Sequence, residues 1–559
     1  MKKASLLAVI FVVLCVLVGT GIYMTRNIGK SQKAISQESA DKKLEKMVRH
    51  IRPEEGSPRK SPVEYNTDEN VADELPDIDS CEVTVKADTD FYAEIFCSPE
   101  KAGRGTDGWL AEMAEEFNRS GVKVGGKAAS IQIRNVNSGQ AMDYISSGKA
   151  VPDAFSPSAM FWADMLAAQD VKTTVISERL VGNVAGILLS NKDYDKIKKE
   201  YGGVDIKAIT EAVEAGKLSF GYTNPFASTS GMNYLISTLL RYDMDDPLSE
   251  KAVAGFQAFQ KNVPLVSLTT MQMRNAASKG SLDGFILEYQ TYVNDKTMKS
   301  RYKFTPYGFR HDNPLVMIGD AGKEKQELLT RFAEFCAGKE GQKKASEYGF
   351  NGQDKYRCDY PAVDGDILLS ARQLYKENKD NGREIIAVFV ADVSGSMDGE
   401  PIQALKDSLI NSMKYINEDN YIGLVSYNED VTIDLPVGQF DLNQQSLYKG
   451  AVEDLTAFGA TATYDGVCVA MHMIRQEMKN HPDAKPMIFV LSDGDTNEGY
   501  SYNDVHDVID SLNIPVYTIG YNYTNGSLEE LSAINEAASI NADTDDIVYQ
   551  LKQLFNANM

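Results

Sequence analysis

The apolar pattern begins with an unbroken run, ASLLAVIFVVLCVLVGTGIYM, in which the 21 residues from Ala4 to Met24 carry no charge. A helix rising about 1.5 Å per residue would take that run across the roughly 30 Å hydrocarbon layer of a bilayer, so a membrane segment is expected. Cleavage signals end in small residues of the A-x-A kind, and LVGTGIYMTRN has none, which favours an uncleaved anchor over a removed signal peptide. Leu14 stands before Cys15 and argues against lipidation. Lys2 and Lys3 precede the run while Arg26, Lys30 and Lys33 follow it, so counting positive charges leaves the orientation undecided.

Behind the run, Leu44, Met47, Val48 and Ile51 recur at helical spacing among charged residues until Pro53, which predicts a short stalk helix. Contact of its basic side chains with lipid headgroups and simple solvation are both open readings. Residues 54–80 are acidic, contain proline and are poor in apolar side chains, the composition of a linker.

From Cys81 to about Tyr375 short β-type runs alternate with amphipathic helical runs, as in an α/β domain. Three strand-to-helix joints are rich in hydroxyls. IQIRNV leads to a helix starting near Ser138 and Gly139, Ser156 and Ser158 precede FWADML, and Ser228, Thr229, Ser230 and Gly231 precede MNYLISTLL. GKEKQELLTRFAEFCAGKEGQKKASEYG predicts a helical pair, and KENKDNGRE at 376–384 a second linker. A new α/β unit then opens with EIIAVFVADVS and continues through YIGLVSYN, PMIFVLSDGD and IPVYTIGYN, runs that read as buried parallel strands. VTIDLPV, close behind YIGLVSYN, is expected to be its antiparallel partner at the edge. The predicted organisation is an anchor at 1–30, stalk and linker at 31–80, a middle α/β domain at 81–375 and a doubly wound α/β domain at 384–559.

Length and charge fit this division. A chain of 559 residues is long enough for two to four domains. Its net charge of −23 opposes binding to polyanions, which excludes nucleic acid as a partner. The first 60 residues hold twelve Lys and Arg against five Asp and Glu, so the acidic excess lies beyond them. Cys81, Cys97, Cys336 and Cys358 fall in the middle region and predict two sequence-local disulfides, Cys81 with Cys97 and Cys336 with Cys358, in an oxidising compartment. Four separate buried thiols are the alternative.

The sharpest chemical signal is DVSGSM. Asp392, Ser394 and Ser396 lie on a turn at the carboxyl end of an apolar strand, where α/β sheets place their ligands. One carboxylate and two hydroxyls at alternate positions offer hard oxygen donors with little charge, which suits Mg²⁺ retaining some of its water. GATATYDG, with Thr461, and LSDGDTNEG, with Asp493, have the same strand-end character. Asp465 and Asp495 read more simply as turn acids or loop-fixing groups, and Cys468 as a buried apolar thiol.

These three elements, D-x-S-x-S, G-x-T before YDG, and an Asp followed by Gly after a later strand, resemble the von Willebrand factor A (VWA) domain over about 384–559. The resemblance implies a metal-ion-dependent adhesion site in which Asp392, Ser394, Ser396, Thr461 and Asp493 surround one divalent ion, Mg²⁺ first and Mn²⁺ or Ca²⁺ as alternatives. It implies a protein partner whose acidic side chain completes the metal shell. Ala460 stands where the family usually has a second glycine.

Residues 81–375 are similar in pattern to bacterial extracellular solute-binding proteins, with two α/β lobes and a hinge, in FNRSGVKVGGKAASIQIRNVNSGQAMDYISSGKAVPDAFSPSAMFW, TNPFASTSGMNYL and FAEFCAGKEGQKKASEYGF. That resemblance implies a small polar or anionic ligand cradled by hydroxyls and amides at helix starts. By position, Ser138, Gly139, Ser156, Ser158, Ser228, Thr229, Ser230 and Gly231 are the ligand-facing candidates, with ordinary helix capping as the other reading of each. Tyr289 is a cleft or core tyrosine, and Trp109 and Trp162 read as core or lobe-surface aromatics.

His50, His311, His472, His481 and His506 show no metalloprotease spacing, and no nucleophile elbow or phosphate-binding loop is present, so no enzyme is expected. The expected protein is a single-pass membrane protein with extracytoplasmic domains on a bacterial, Gram-positive-like cell surface. It binds a protein partner and a small ligand. The alternative is the substrate-binding component of an ABC transporter with an accessory VWA domain.

Overall fold

In the computed structural model, the described residues are 35–63, 75–263, 265–267, 282–379, 383–521, 527–534 and 539–542, with positions 273, 549, 551, 552 and 554. The expected anchor at Ala4–Met24 lies outside them, and among them no helix is long and apolar enough to cross a membrane.

The helix Gln37–Ile51 forms where the spacing predicts it, capped by Ser36, whose Oγ accepts from Ser39 N. It is not a free stalk. Its apolar stripe, Ala40, Leu44 and Met47, is buried against the helices Thr463–Glu477 and Tyr502–Leu512 of the C-terminal unit. Arg475 holds Asp41 with two hydrogen bonds of 2.8 and 2.7 Å.

The expected linker also departs from prediction. Strand β1 (Glu54–Glu55) pairs in parallel with a strand of the C-terminal sheet at Thr432 and Ile433. Arg59 then bridges Glu453 and Asp454 at 2.6 and 3.0 Å, and Ser61 exchanges hydrogen bonds with Ser446. A segment with few apolar side chains is held because a sheet edge and a helix offer its backbone hydrogen-bond partners. Residues 64–74, the remainder of the expected linker's centre, lie outside the described residues.

The middle domain has two sheets. The first lobe contains β2 (Val83–Val85), β3 (Phe91–Cys97), β4 (Lys123–Val124), β5 (Lys127–Asn135), β6 (Ala154–Ser156) and β7 (Thr173–Ser177). The second is built from β8 (Asn183–Ser190), β9 (Phe220–Thr223), β10 (Leu265–Ser267), β11 (Gly284–Glu288) and β12 (Tyr302–His311), in the order β10-β9-β11-β8-β12. The chain then returns to the first lobe as β13 (Leu315–Ile318), completing the order β2-β5-β3-β6-β13-β7 with β4 beside β5. Two strand crossings between the lobes therefore form the hinge region. The predicted helical pair is Gly322–Ala337 and Lys339–Glu347. The helix Gly365–Asn378 runs into the expected second linker, and Tyr375 on it is fully buried beside Tyr222 and Phe256.

The C-terminal sheet adds β14 (Ile385–Asp392), β15 (Tyr421–Tyr427), β16 (Val431–Gln439), β17 (Lys485–Ser492), β18 (Val516–Tyr521) and β19 (Ser539–Ala542), in the order β1-β16-β15-β14-β17-β18-β19. β16 is antiparallel to β15, as expected, but β1 covers its outer edge. The continuous apolar run of β14 follows from burial on both faces. Ile385, Ala387, Phe389 and Ala391 join one core, while Ile386, Val388 and Val390 join the other, which also contains Leu44. This unit therefore combines residues 35–63 with the C-terminal part of the chain, and the two-lobe domain lies between them in sequence.

The predicted disulfides are not formed. Cys97, Cys336 and Cys358 are free thiols, and Cys81 packs against a different core from the one that buries Cys97 and Cys336. The nearness of Cys81 to Cys97 in sequence does not survive folding, because β3 carries Cys97 into the first-lobe interior. There burial pushes its thiol pKa up to about 12.

Candidate functional sites

The first site lies at the carboxyl edge of the C-terminal sheet. Asp392 ends β14 fully buried; its Oδ1 accepts from Ser394 N at 2.8 Å, and its Oδ2 accepts from Ser492 Oγ at 2.5 Å and Tyr427 Oη at 3.3 Å. Burial raises the pKa of this carboxyl, the hydrogen bonds from Ser394 and Ser492 oppose the rise, and the charge of Asp493 adds to it. Ser394 Oγ is 3.1 Å from Ser396 Oγ, which donates to Asp493 Oδ1 at 2.8 Å. Four of the five predicted residues thus form one hydrogen-bonded chain across the ends of β14 and β17.

Thr461, the fifth, is fixed through its backbone. Its N–H donates to Asn497 Oδ1, and its carbonyl accepts from Asn497 N and Thr496 Oγ1. The Thr461 loop is tied to the DVSGSM turn by Phe458 N to Val393 O and Gly395 N to Gly459 O. Gly459 supplies the left-handed backbone, φ +83°, where a Cβ would meet Glu429 Oε2 at 1.7 Å. Ala460 does not share that conformation, and its N–H donates to the same Glu429 oxygen, so the departure from the family's second glycine is accommodated.

Two carboxylates with serine and threonine hydroxyls, and no sulfur or nitrogen, are the donor chemistry of a hard divalent cation. Among the described residues no group of three or more His, Cys, Asp and Glu could hold a metal ion, so hydroxyl donors are essential to any ion here. Asp465 is a loop-fixing acid, accepting from Tyr500 N at 2.7 Å, and Asp495 is exposed. Cys468 is a buried apolar thiol. Tyr427, Ser492, Asn497 and Glu429 were not foreseen; only Ser492, adjacent to Asp493, had a sequence signal.

The second site is a cavity of about 300 Å³ between the lobes, lined by residues including Ser138, Ser158, Ser228 and Thr229. Ser138 begins the helix Ser138–Ser147, and Ser228 caps the helix Thr229–Tyr242 by accepting from Gly231 N. Thr229 Oγ1 accepts from Trp162 Nε1 at 2.8 Å across the lobes.

The other four candidates do not line the cavity. Ser156 is fully buried and donates to Pro314 O, while Ser230 lies behind the wall, donating to Glu288 at 3.4 Å. Gly139 and Gly231 permit close backbone packing: a Cβ would meet Phe226 O and Thr223 O, respectively, at 2.0 Å. Tyr289 packs in an aromatic cluster with Tyr292 and Phe304, and Trp109 is core, bonded to Gly341 O.

Sequence reasoning missed Glu100, Asp107, Asn135 and Glu288 in the cavity lining. The stretch CSPEK carried the missed signal, since Ser98 and Pro99 form a hydroxyl-bearing strand-to-helix joint like the other three. Glu100 Oε1 accepts from Ser98 Oγ and Ser158 Oγ, each at 2.6 Å. Fully buried Lys101 donates to Ser98 Oγ at 2.5 Å and lies 3.4 Å from the carboxylate. Burial opposes ionisation of Glu100, but Lys101 and the two hydroxyls prevail and hold its pKa below the ordinary value.

Residues 387–557 match the von Willebrand factor type A domain model, and residues 102–351 match the model for bacterial extracellular solute-binding proteins. The chain therefore carries both domains, in the order the sequence implied. Inter-alpha-trypsin inhibitor heavy chain H3 of Mus musculus is 30% identical over 172 residues, covering 28% of this chain and 19% of that protein. The chain thus spans about a fifth of that relative's length. A von Willebrand factor type A structure from Catenulispora acidiphila is 20% identical with a TM-score of 0.29, covering 31% of this chain and 42% of that one. The sulfate-binding protein SubI from Mycobacterium tuberculosis H37Rv is 14% identical with a TM-score of 0.34, covering 51% of this chain and 91% of that one.

Proposed function

We propose that this chain is a membrane-anchored, extracytoplasmic and non-enzymatic binding protein with two sites. Its VWA domain grips an acidic side chain of a protein partner through a divalent ion, and its middle domain captures or senses a small solute. The observation that carries the reading is the hydrogen-bonded chain from Asp392 through Ser394 and Ser396 to Asp493, at the sheet edge where α/β folds bind ligands.

Asp392, Ser394, Ser396, Thr461 and Asp493 would hold Mg²⁺, with Mn²⁺ or Ca²⁺ as substitutes. The bound ion supplies a Lewis-acid contact to a partner's carboxylate. The chain's part is to fix the donors in advance: Ser492 and Tyr427 orient the Asp392 carboxylate, and Glu429 and Asn497 hold the Thr461 loop against the DVSGSM turn. Domain closure around a solute would be the middle domain's response to its ligand.

The full chain, immobilised, is expected to retain its partner from an extracellular protein fraction only with a divalent ion present, and Asp392→Ala is expected to abolish retention. Retention unaffected by chelator and by the substitution would overturn this part of the reading. A second reading, solute capture for an ABC transporter, is favoured by the inter-lobe cavity. It predicts that Asp392→Ala leaves solute uptake intact.

A further inference from the structure

We infer that the inter-lobe cavity takes a small organic solute bearing a protonated amine, and that it disfavours oxyanions. The inference rests on the proposed capture of a solute by the middle domain and adds the charge of that solute.

Of the hydroxyls expected to cradle an anion, Ser158 is already engaged. Ser98 and Ser158 give their hydroxyl hydrogens to Glu100 Oε1, so an internal carboxylate takes the place an anionic ligand's oxygen would need. Lys101, the nearby cation, is fully buried against Ser98 and Glu100. Glu100, Asp107 and Glu288 all line the cavity, and the described lining includes no Lys, Arg or His.

Glu288 is the decisive group. Its residue is 5% exposed, and its carboxylate accepts from Asn183 Nδ2 at 2.5 Å, His311 Nδ1 at 2.9 Å and Ser230 Oγ at 3.4 Å. The form of His311 follows from its other neighbour. Asn233 Oδ1 accepts from Phe309 N and Ser237 Oγ, which leaves Asn233 Nδ2 to donate to Phe309 O and to His311 Nε2. Nε2 is therefore an acceptor, and the ring is neutral with its proton on Nδ1. All three donors to Glu288 are neutral, so they solvate its charge without cancelling it. A buried carboxylate in that condition is costly unless a cation approaches it.

An independent observation points the same way. Asn135 lines the cavity, and its Oδ1 is buried without a hydrogen-bond donor. An ammonium group has three donors and no acceptor, the complement of a wall that presents carboxylate and amide oxygens. A bare metal ion is the poorer match, because no three carboxylates or other acidic, His or Cys ligands converge among the described residues. The cavity volume of about 300 Å³ is at the small end of the range for organic ligands.

The test is calorimetric titration of the full chain carrying Asp392→Ala, which removes the VWA ion site from the reading. The probes are putrescine, spermidine and glucosamine, their N-acetylated counterparts, Mn²⁺, sulfate and molybdate. One or more of the free amines is expected to bind once per chain, with its acetylated form at least tenfold weaker. Glu288→Gln is expected to weaken the amine at least tenfold, and Asp107→Asn at the half-buried rim provides a second test if Glu288→Gln fails to fold. Binding of sulfate, molybdate or Mn²⁺ with the amines silent would overturn the amine assignment and leave capture by the cleft standing. Silence from every probe would overturn both, and amine binding untouched by either folded variant would overturn the assignment to this cavity.

Discussion

Tyr549 Oη donates a 2.9 Å hydrogen bond to Asp143 Oδ2, joining the end of the VWA domain to the helix whose first residue, Ser138, lines the inter-lobe cavity. Buried Arg372 lies near both partners, its guanidinium 4.3 Å from the centre of the Phe226 ring, and burial lowers its pKa despite the opposing charge of Asp143. A change of lobe angle and a change at the end of the VWA domain therefore meet at one contact.

If that contact transmits occupancy, a saturating amine that binds the cavity changes the Mn²⁺ affinity of the VWA site by at least about threefold, and Mn²⁺ changes amine affinity by the same factor. Tyr549→Phe is expected to reduce both effects while leaving each site intact. Calorimetry with one ligand fixed and the other titrated measures the coupling. Equal coupling in wild type and Tyr549→Phe would remove this contact from the account.

The helix Gln37–Ile51 acts as a structural part of the VWA unit through fully buried Ala40 and nearly buried Leu44 and Met47. Leu44→Ala is expected to cost about 2–5 kcal/mol, the range for truncating a packed core leucine. Hydrogen exchange should show the loss in β14 and β17, whose residues share that core. Unchanged protection there would mean that the segment is only loosely attached.

Asp434, on the strand β16 beside β1, has its pKa raised from the ordinary 3.8 to about 6 by burial, and its Oδ2 has no hydrogen-bond partner. Its contribution to stability is present below pH 3.8 and is lost as pH rises towards 6, because the unfolded chain ionises first. At about 1.36 kcal/mol per pH unit, Asp434→Asn should stabilise the VWA unit by up to about 3 kcal/mol at pH 7.5, with the gain shrinking towards pH 4. Denaturant unfolding at the two pH values measures this; a gain independent of pH would contradict the assignment.

The candidate ion site was legible because its chemistry is local. Asp392, Ser394 and Ser396 occupy one turn, and a buried parallel strand announces where that turn must point. The hydroxyl-rich helix starts likewise marked the cleft through Ser138, Ser158, Ser228 and Thr229. Glu288 was not legible, since its meaning depends on the neutral state of His311, which is set by Asn233, 78 residues away in sequence. The role of residues 54–62 was hidden for a similar reason: a polar segment reads as a linker until a sheet edge elsewhere supplies its backbone partners. The cysteine pairing failed because sequence distance was taken for spatial distance, while β3 buries Cys97 away from Cys81.

The most direct test of the central claim is a Mn²⁺ titration of the full chain, followed by electron paramagnetic resonance of the bound ion. The account predicts one ion per chain, displaced by excess Mg²⁺, lost in Asp392→Ala and weakened at least tenfold in Ser394→Ala. Absence of binding, or a bound ion indifferent to both substitutions, would contradict it.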